Sequence, residues 1–265
     1  MKQKSFYLTV LLIAIHIVCD AQTKIISWNI QNFGTQKAPY MSLISNTLRD
    51  ADIVMIQEVQ IDSDGIKAIR ILKTELEKSG SEWTYIISPP THGRGTECYA
   101  YLWKSKKVKL KNFAWLETSL DSLIDREPFL ARFECGRQII LLANLHAVPK
   151  KKMPWFEILE LDRLDLLYKK DNLIIAGDFN LEATNRAFDE LRTLGFKQAL
   201  FALKTTIKME VQSGEKFAHE YDNFIFEKDS FTILKSGRID FTTHFYTLQE
   251  ARKVSDHLPV FIIVE

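Results

Sequence analysis

Apolar positions along the chain fall into two periodicities, and their alternation is informative. Lys24–Asn29 and Asp52–Ile56 are short apolar runs of strand length that stop at polar residues. Between them Met41, Ile44 and Leu48 recur at helical spacing, and after the second run Ile66, Ile69, Leu72 and Leu76 do the same, ending at Ser79-Gly80. Five strands are predicted from 83 to 144: 83–88, 99–104, 107–115, 128–134 and 138–144. Phe156, Leu159, Leu164 and Leu167 predict one helix, followed by the run Leu173-Ile174-Ile175-Ala176-Gly177-Asp178. A run with no polar alternation predicts a strand buried on both faces. A weaker helix is expected near 185–193, then a poorly patterned stretch to about 218, then strands at 222–226, 230–235 and 258–264. The arrangement echoes itself. A strand ending in Asn29, a helix, and a strand ending at Glu58 reappear as a strand ending in Asn144 and His146, a helix, and a strand ending in Asp178. Two similar half-sheets are implied, with polar strand ends meeting at one edge, where ligands collect in open α/β sheets.

Length and composition narrow the picture. The 265 residues suffice for one large domain, and no Gly/Ser/Pro linker divides them. Lys2 and Lys4 precede an apolar core from Phe6 to Val18, and Cys19-Asp20-Ala21 is a small-x-small cleavage site. Residues 1–21 are thus expected to be a signal peptide, too short to span a bilayer, that leaves residues 22–265 exported and without stable membrane association. Lipoprotein anchoring at Cys19 is disfavoured by the bulky Val18 before it. Removing this segment takes Lys+Arg from 35 to 33 and Asp+Glu from 34 to 33, because only Lys2, Lys4 and Asp20 are lost. A near-neutral domain has no global field for a polyanion, so such a partner must be held by local patches or a metal.

The polar strand ends carry the chemistry: Asn29, Glu58, Glu97, Asn144, His146, Asp178, Asn180, Asp222, Asp256 and His257. Singly, each has an ordinary structural explanation, as a turn former, a solvated acid or a buried histidine. Together they form the mixture that phosphodiester cleavage needs. Carboxylates and amides hold a divalent cation, a histidine moves a proton near neutral pH, and a carboxylate fixes the tautomer of that histidine.

The sequence resembles the endonuclease/exonuclease/phosphatase superfamily and, within it, the secreted deoxyribonuclease I branch. The matching pieces run through the whole mature chain: Trp28-Asn29-Ile30-Gln31-Asn32-Phe33-Gly34, Asp52–Val59, Arg126-Glu127-Pro128, Asn144-Leu145-His146, Gly177-Asp178-Phe179-Asn180, Tyr221-Asp222 and Ser255-Asp256-His257-Leu258-Pro259-Val260. The resemblance implies an α/β (α+β) fold, a four-layer α/β/β/α sandwich of two packed mixed sheets with helices outside. It implies metal-dependent phosphodiester hydrolysis, with DNA the expected substrate and a monomer the expected state. Glu58 would be the principal Mg²⁺ or Mn²⁺ ligand with Asn29 and Asp256 nearby, and Ca²⁺ an optional structural ion. Asp178 and Asn180 would position the scissile phosphate and the water. His146 with Glu97, and His257 with Asp222, would be the acid/base pairs, with base and acid left unassigned. Arg126, Asn144, Lys150 and Lys151 would contact substrate phosphate.

Three features depart from the branch or stay open. Gln60 stands where the branch places an arginine in the minor groove, and the loop before Glu97 is short and lacks a tyrosine; either Arg94 substitutes, or duplex binding is weak, or the substrate is single-stranded nucleic acid or another phosphodiester. Lys150-Lys151-Lys152 reads equally as a phosphate contact or a solvated face, whereas the lysines of 104–111 favour the solvated reading. In such a fold Cys98 and Cys135 would lie some ~20 Å apart against a bridging limit of ~7 Å, so no disulfide is expected. The competing functions are a lipid or small-molecule phosphodiesterase or phosphatase of the same superfamily, and an inactive exported binding protein.

Overall fold

The computed structural model describes residues 22–227 and 229–265, so the expected signal peptide lies outside the described residues. Two six-stranded sheets pack face to face. In the first the order is β13 (Ile233–Arg238), β14 (Val260–Val264), β1 (Thr23–Phe33), β2 (Ile53–Val59), β4 (Cys98–Lys104) and β3 (Trp83–Ile87). In the second it is β5 (Val108–Leu116), β6 (Phe129–Cys135), β7 (Gln138–His146), β8 (Asn172–Asp178), β12 (Asp222–Glu227) and β9 (Phe196–Gln198). β1–β2 and β7–β8 pair in parallel, and the remaining neighbours are antiparallel. The internal echo of the sequence is therefore real: each sheet has a parallel pair at its centre, joined by helical crossovers.

Strand side chains alternate between two layers of core, which explains the unbroken apolar runs. Ile25, Met55, Tyr101, Phe133, Leu142 and Ile174 fill the space between the sheets. Their neighbours Ile26, Val54 and Ile56 face outward against α1 (Met41–Leu48) and α2 (Ser63–Glu77). Leu141, Ala143 and Ile175 face outward on the other sheet, against α3 (Trp155–Leu159), α4 (Asp162–Leu167) and α5 (Asp189–Thr193). Four layers result, as expected.

Asn144 is fully buried between the sheets. Its Nδ2 donates to Ile56 O at 3.1 Å and its Oδ1 accepts from Gln57 Nε2 at 2.5 Å, so it stitches β7 to β2. A buried amide must find partners, and here they belong to the opposite sheet. The pattern at 156–167, read as one helix, is α3 and α4 with a break at 160–161. The unread stretch contains β9 and a hairpin of β10 (Ile207–Gln212) and β11 (Glu215–Phe217). Most of β10 is exposed, so no apolar alternation marks it. The strand expected at 230–235 is β13, which starts three residues later.

Cys98 packs on the outside of the first sheet and Cys135 between the sheets; both are unbonded and buried. Burial pushes their thiols up to about 11 and about 12, which leaves them unreactive at neutral pH.

Candidate active site

The site forms where the two parallel pairs meet end to end. Gly177 makes the approach possible. It adopts φ 145°, and a Cβ there would lie 1.8 Å from Leu145 O. Only glycine lets β8 close on β7 at this point, setting Asp178 opposite His146. Gly177→Ala is expected to cost at least ~2 kcal/mol, read as a lower urea midpoint at unchanged slope. A midpoint equal to wild type would show that β7 and β8 can separate here without strain.

Asp178 is the hub. It is 1% exposed, and one of its oxygens, Oδ2, is ringed by nitrogens from both sheets. Asn29 Nδ2 donates to it at 3.1 Å and Asn180 Nδ2 lies at 3.4 Å. His146 Nε2 and His257 Nε2 each stand 3.5 Å away. The other oxygen accepts Asn180 N at 2.8 Å, an Asx turn that holds Asn180 at φ 49°.

Each histidine is backed by a carboxylate. His146 Nδ1 lies 2.9 Å from Glu97 Oε2, and Glu97 Oε1 also accepts the backbone N of Glu58 at 3.0 Å. His257 Nδ1 lies 2.8 Å from Asp222 Oδ2, which accepts Thr205 Oγ1 at 2.6 Å. Burial pulls the pKa of His146 down, but Glu97 and Asp178 together carry it above the ordinary value. Burial opposes His257 in the same way, and Asp222 and Asp178 raise it well above. Asp222 is itself pushed up by burial. Thr205 also donates to Oδ2. Both rings thus point Nε2 at one carboxylate oxygen.

Glu58 completes the cluster from β2 at φ 59°. Its Oε1 accepts Asn29 Nδ2 at 3.0 Å, its Oε2 accepts Asn32 N at 2.9 Å, and His146 Nε2 is 4.0 Å away. Its side chain is 23% exposed, against 1% for Asp178, so it is the carboxylate that meets solvent. Asn29 Oδ1 is buried and has no hydrogen-bond partner among the described residues. Carboxylates plus an orphaned amide oxygen are the hard donors that Mg²⁺, Mn²⁺ or Ca²⁺ prefers, so these residues fit a divalent cation. A second set of potential ligands is Asp178, Asp222 and His257, whose ligand atoms lie within 4.8 Å of one another.

Four further expected residues have these surroundings. Asp256 makes no hydrogen bond to Glu58 or Asn29; its carboxylate is held by Gln31 Nε2 at 3.1 Å and Arg252 Nη2 at 3.3 Å. Arg126 is buried, with Nε donating to His146 O at 2.8 Å and Nη2 to Ala147 O at 2.6 Å, so most of its fork is spent on the backbone. Lys150 and Lys151 are exposed on a turn four residues beyond His146, with no ion pair among the described residues. Thr205 and Lys37 escaped sequence reading. Lys37, a buried lysine whose pKa is lowered by burial, donates to Lys253 O at 3.0 Å and Val254 O at 2.7 Å, anchoring the loop that leads to His257. Nothing in local pattern distinguishes either residue.

The Endonuclease/Exonuclease/phosphatase family matches residues 26–258, and the chain belongs to it. It is similar to Deoxyribonuclease-1-like 1 of Chlorocebus aethiops, 29% identical over 96% of this chain and 88% of that protein. It is also similar to a Deoxyribonuclease of Thioalkalivibrio sp. (strain K90mix), 26% identical over 92% of this chain and 72% of the other. A mannosyl-6-phosphatase of Bacteroides thetaiotaomicron superposes with a TM-score of 0.63 over 92% of this chain and 99% of its own, at 16% identity, a likeness of fold alone. Family and relatives make this chain a hydrolase of the phosphodiesterase/endonuclease type, in a family that generally uses divalent metals.

Proposed function

We propose that this chain is an exported, divalent-metal-dependent DNA endonuclease. The observation that carries the reading is the convergence of two His–carboxylate pairs on Asp178 Oδ2, each 3.5 Å from it. Two backed imidazoles around one point suit a reaction that needs a proton removed from water and a proton given to a leaving oxygen. His146 and His257 fill those two roles. Asp178 and Asn180, at the end of β8, would position the scissile phosphate and the attacking water. Glu58 and Asn29 would hold the cation, with Asp256 assisting from outside the hydrogen-bonded cluster. A cation bound there would supply positive charge against the phosphoryl oxygens. Arg126 fixes the His146–Ala147 backbone and retains Nη1 for phosphate. Lys150 and Lys151, exposed just beyond His146 in the chain, would contact phosphates of a strand leaving the site. The deoxyribonuclease names of the relatives favour DNA, and the pattern of residues 1–21 favours export. A monomer suffices for this chemistry, because every group in it comes from one chain.

One observation favours a smaller substrate. The cleft of about 250 Å³ beside Glu58 is lined by Asn32, Gln60, Asp62, Thr96 and Glu97, with no cation among them. The second reading is therefore a phosphodiesterase or phosphatase for a small or lipid phosphate. Incubating residues 22–265 with supercoiled plasmid and with bis(p-nitrophenyl) phosphate, with Mg²⁺ or Mn²⁺ or with chelator, separates the two. Metal-dependent nicking is expected. An intact plasmid beside a cleaved small diester would replace the first reading with the second.

A further inference from the structure

The loop joining β3 to β4 is clamped to the segment that carries Arg126. Asp125 accepts Arg94 N at 3.0 Å and Gly95 N at 2.9 Å. The wholly buried carboxylate of Glu127 accepts His92 N at 3.1 Å and pairs with His92 Nδ1. Thr96 Oγ1 closes back on Gly93 O at 2.7 Å. The two glycines are there for space. A Cβ on Gly93 would lie 1.7 Å from Asp125 O, and one on Gly95 2.7 Å from Asp125 Oδ2 and 2.8 Å from Arg126 Nη1. Gly93 thus presses on the Asp125 backbone and Gly95 on the Asp125 and Arg126 side chains, and the path of the loop on both sides of Arg94 is fixed.

What this loop displays is Arg94. Its side chain is exposed and has neither a hydrogen bond nor an ion pair among the described residues. Gly95, next to it, lies against Arg126, and Thr96 and Glu97 line the cleft beside Glu58. A free guanidinium held at the rim of a phosphate site is suited to a second phosphate in the same strand. We infer that Arg94 is a specificity-determining contact for a backbone phosphate flanking the scissile one, and that Asp125 and Glu127 are positioning residues that hold its loop. The assignment rests on the nuclease reading and adds to it how a near-neutral domain would prefer a polynucleotide to a lone diester.

The test compares wild type, Arg94→Ala, Arg94→Lys, Asp125→Ala and the Arg94→Ala/Asp125→Ala double variant. The substrates are a single-stranded oligodeoxynucleotide and bis(p-nitrophenyl) phosphate, over a range of NaCl concentrations. Arg94→Ala is expected to raise KM for the oligonucleotide about tenfold and to flatten its salt dependence by about one unit of slope, with a clearly smaller change on the diester. Arg94→Lys should recover most of the loss, because the charge is retained. Asp125→Ala should reproduce the rise in KM and add less than about twofold to it in the Arg94→Ala background. Wild-type KM and salt slope for Arg94→Ala on the oligonucleotide would overturn the assignment, as would an equal fall on both substrates. Additive losses in the double variant would overturn the positioning role. A wild-type enzyme that cleaves the diester and no polynucleotide would overturn the nuclease reading itself, and this assignment with it.

Discussion

His146→Ala and His257→Ala should each lower turnover about 10²–10⁴-fold, the range for losing a positioned acid or base. The two losses should differ in kind. A p-nitrophenolate leaves without help from an acid, so the variant lacking the general acid should recover most of its rate on an aryl diester while staying slow on DNA. The variant lacking the base should stay slow on both, and this comparison assigns the roles. Removing His257 also leaves Asp222 and Asp178 buried without the ring between them, which threatens the fold. His257→Gln, which keeps a hydrogen-bonding side chain in place, is the companion variant, with urea midpoints measured for both. Wild-type turnover in folded His146→Ala and His257→Ala would remove acid/base work from these pairs.

Glu58→Gln should lower kcat/KM by about 10³-fold and abolish the response to divalent metal. The substitution keeps the volume but removes the charge and one acceptor. Asn29 Nδ2 and Asn32 N each use one Glu58 oxygen, so the new amide N–H₂ must oppose one of them. A readout independent of activity is available, because a ligand that binds the folded state alone raises stability by about 2.7 kcal/mol at a hundred times its Kd. Mg²⁺ or Mn²⁺ should therefore raise the Tm of the wild type, and chelator should reverse it. Glu58→Gln should show neither change. An undiminished metal response in this variant would move the cation to the Asp178–Asp222–His257 set.

The sequence by itself determined the layers and the cast of the site. Unbroken apolar runs predict strands buried on both faces, and the repeated strand–helix–strand units imply two similar half-sheets. Polar residues at the strand ends then name Glu58, Glu97, His146, Asp178, Asp222 and His257. These signals are local: a period, a glycine, a pair of residues at i and i+2. What the tertiary structure decided is which of those residues share a partner. Asn144 and His146 lie two apart on a regular β7 and both face the opposite sheet, but Asn144 sits one layer deeper and spends its amide on Ile56 and Gln57, while His146 at the strand end meets Glu97. Asp256 adjoins His257 in sequence but answers to Arg252 and Gln31, since adjacent residues in extended chain point apart. Thr205 and Lys37 left no trace in pattern because their roles exist only across long loops, at separations of 17 and 217 residues from the groups they hold. Composition and periodicity report burial and secondary structure. The direction of a hydrogen bond between distant segments is fixed only when the sheets have closed on one another.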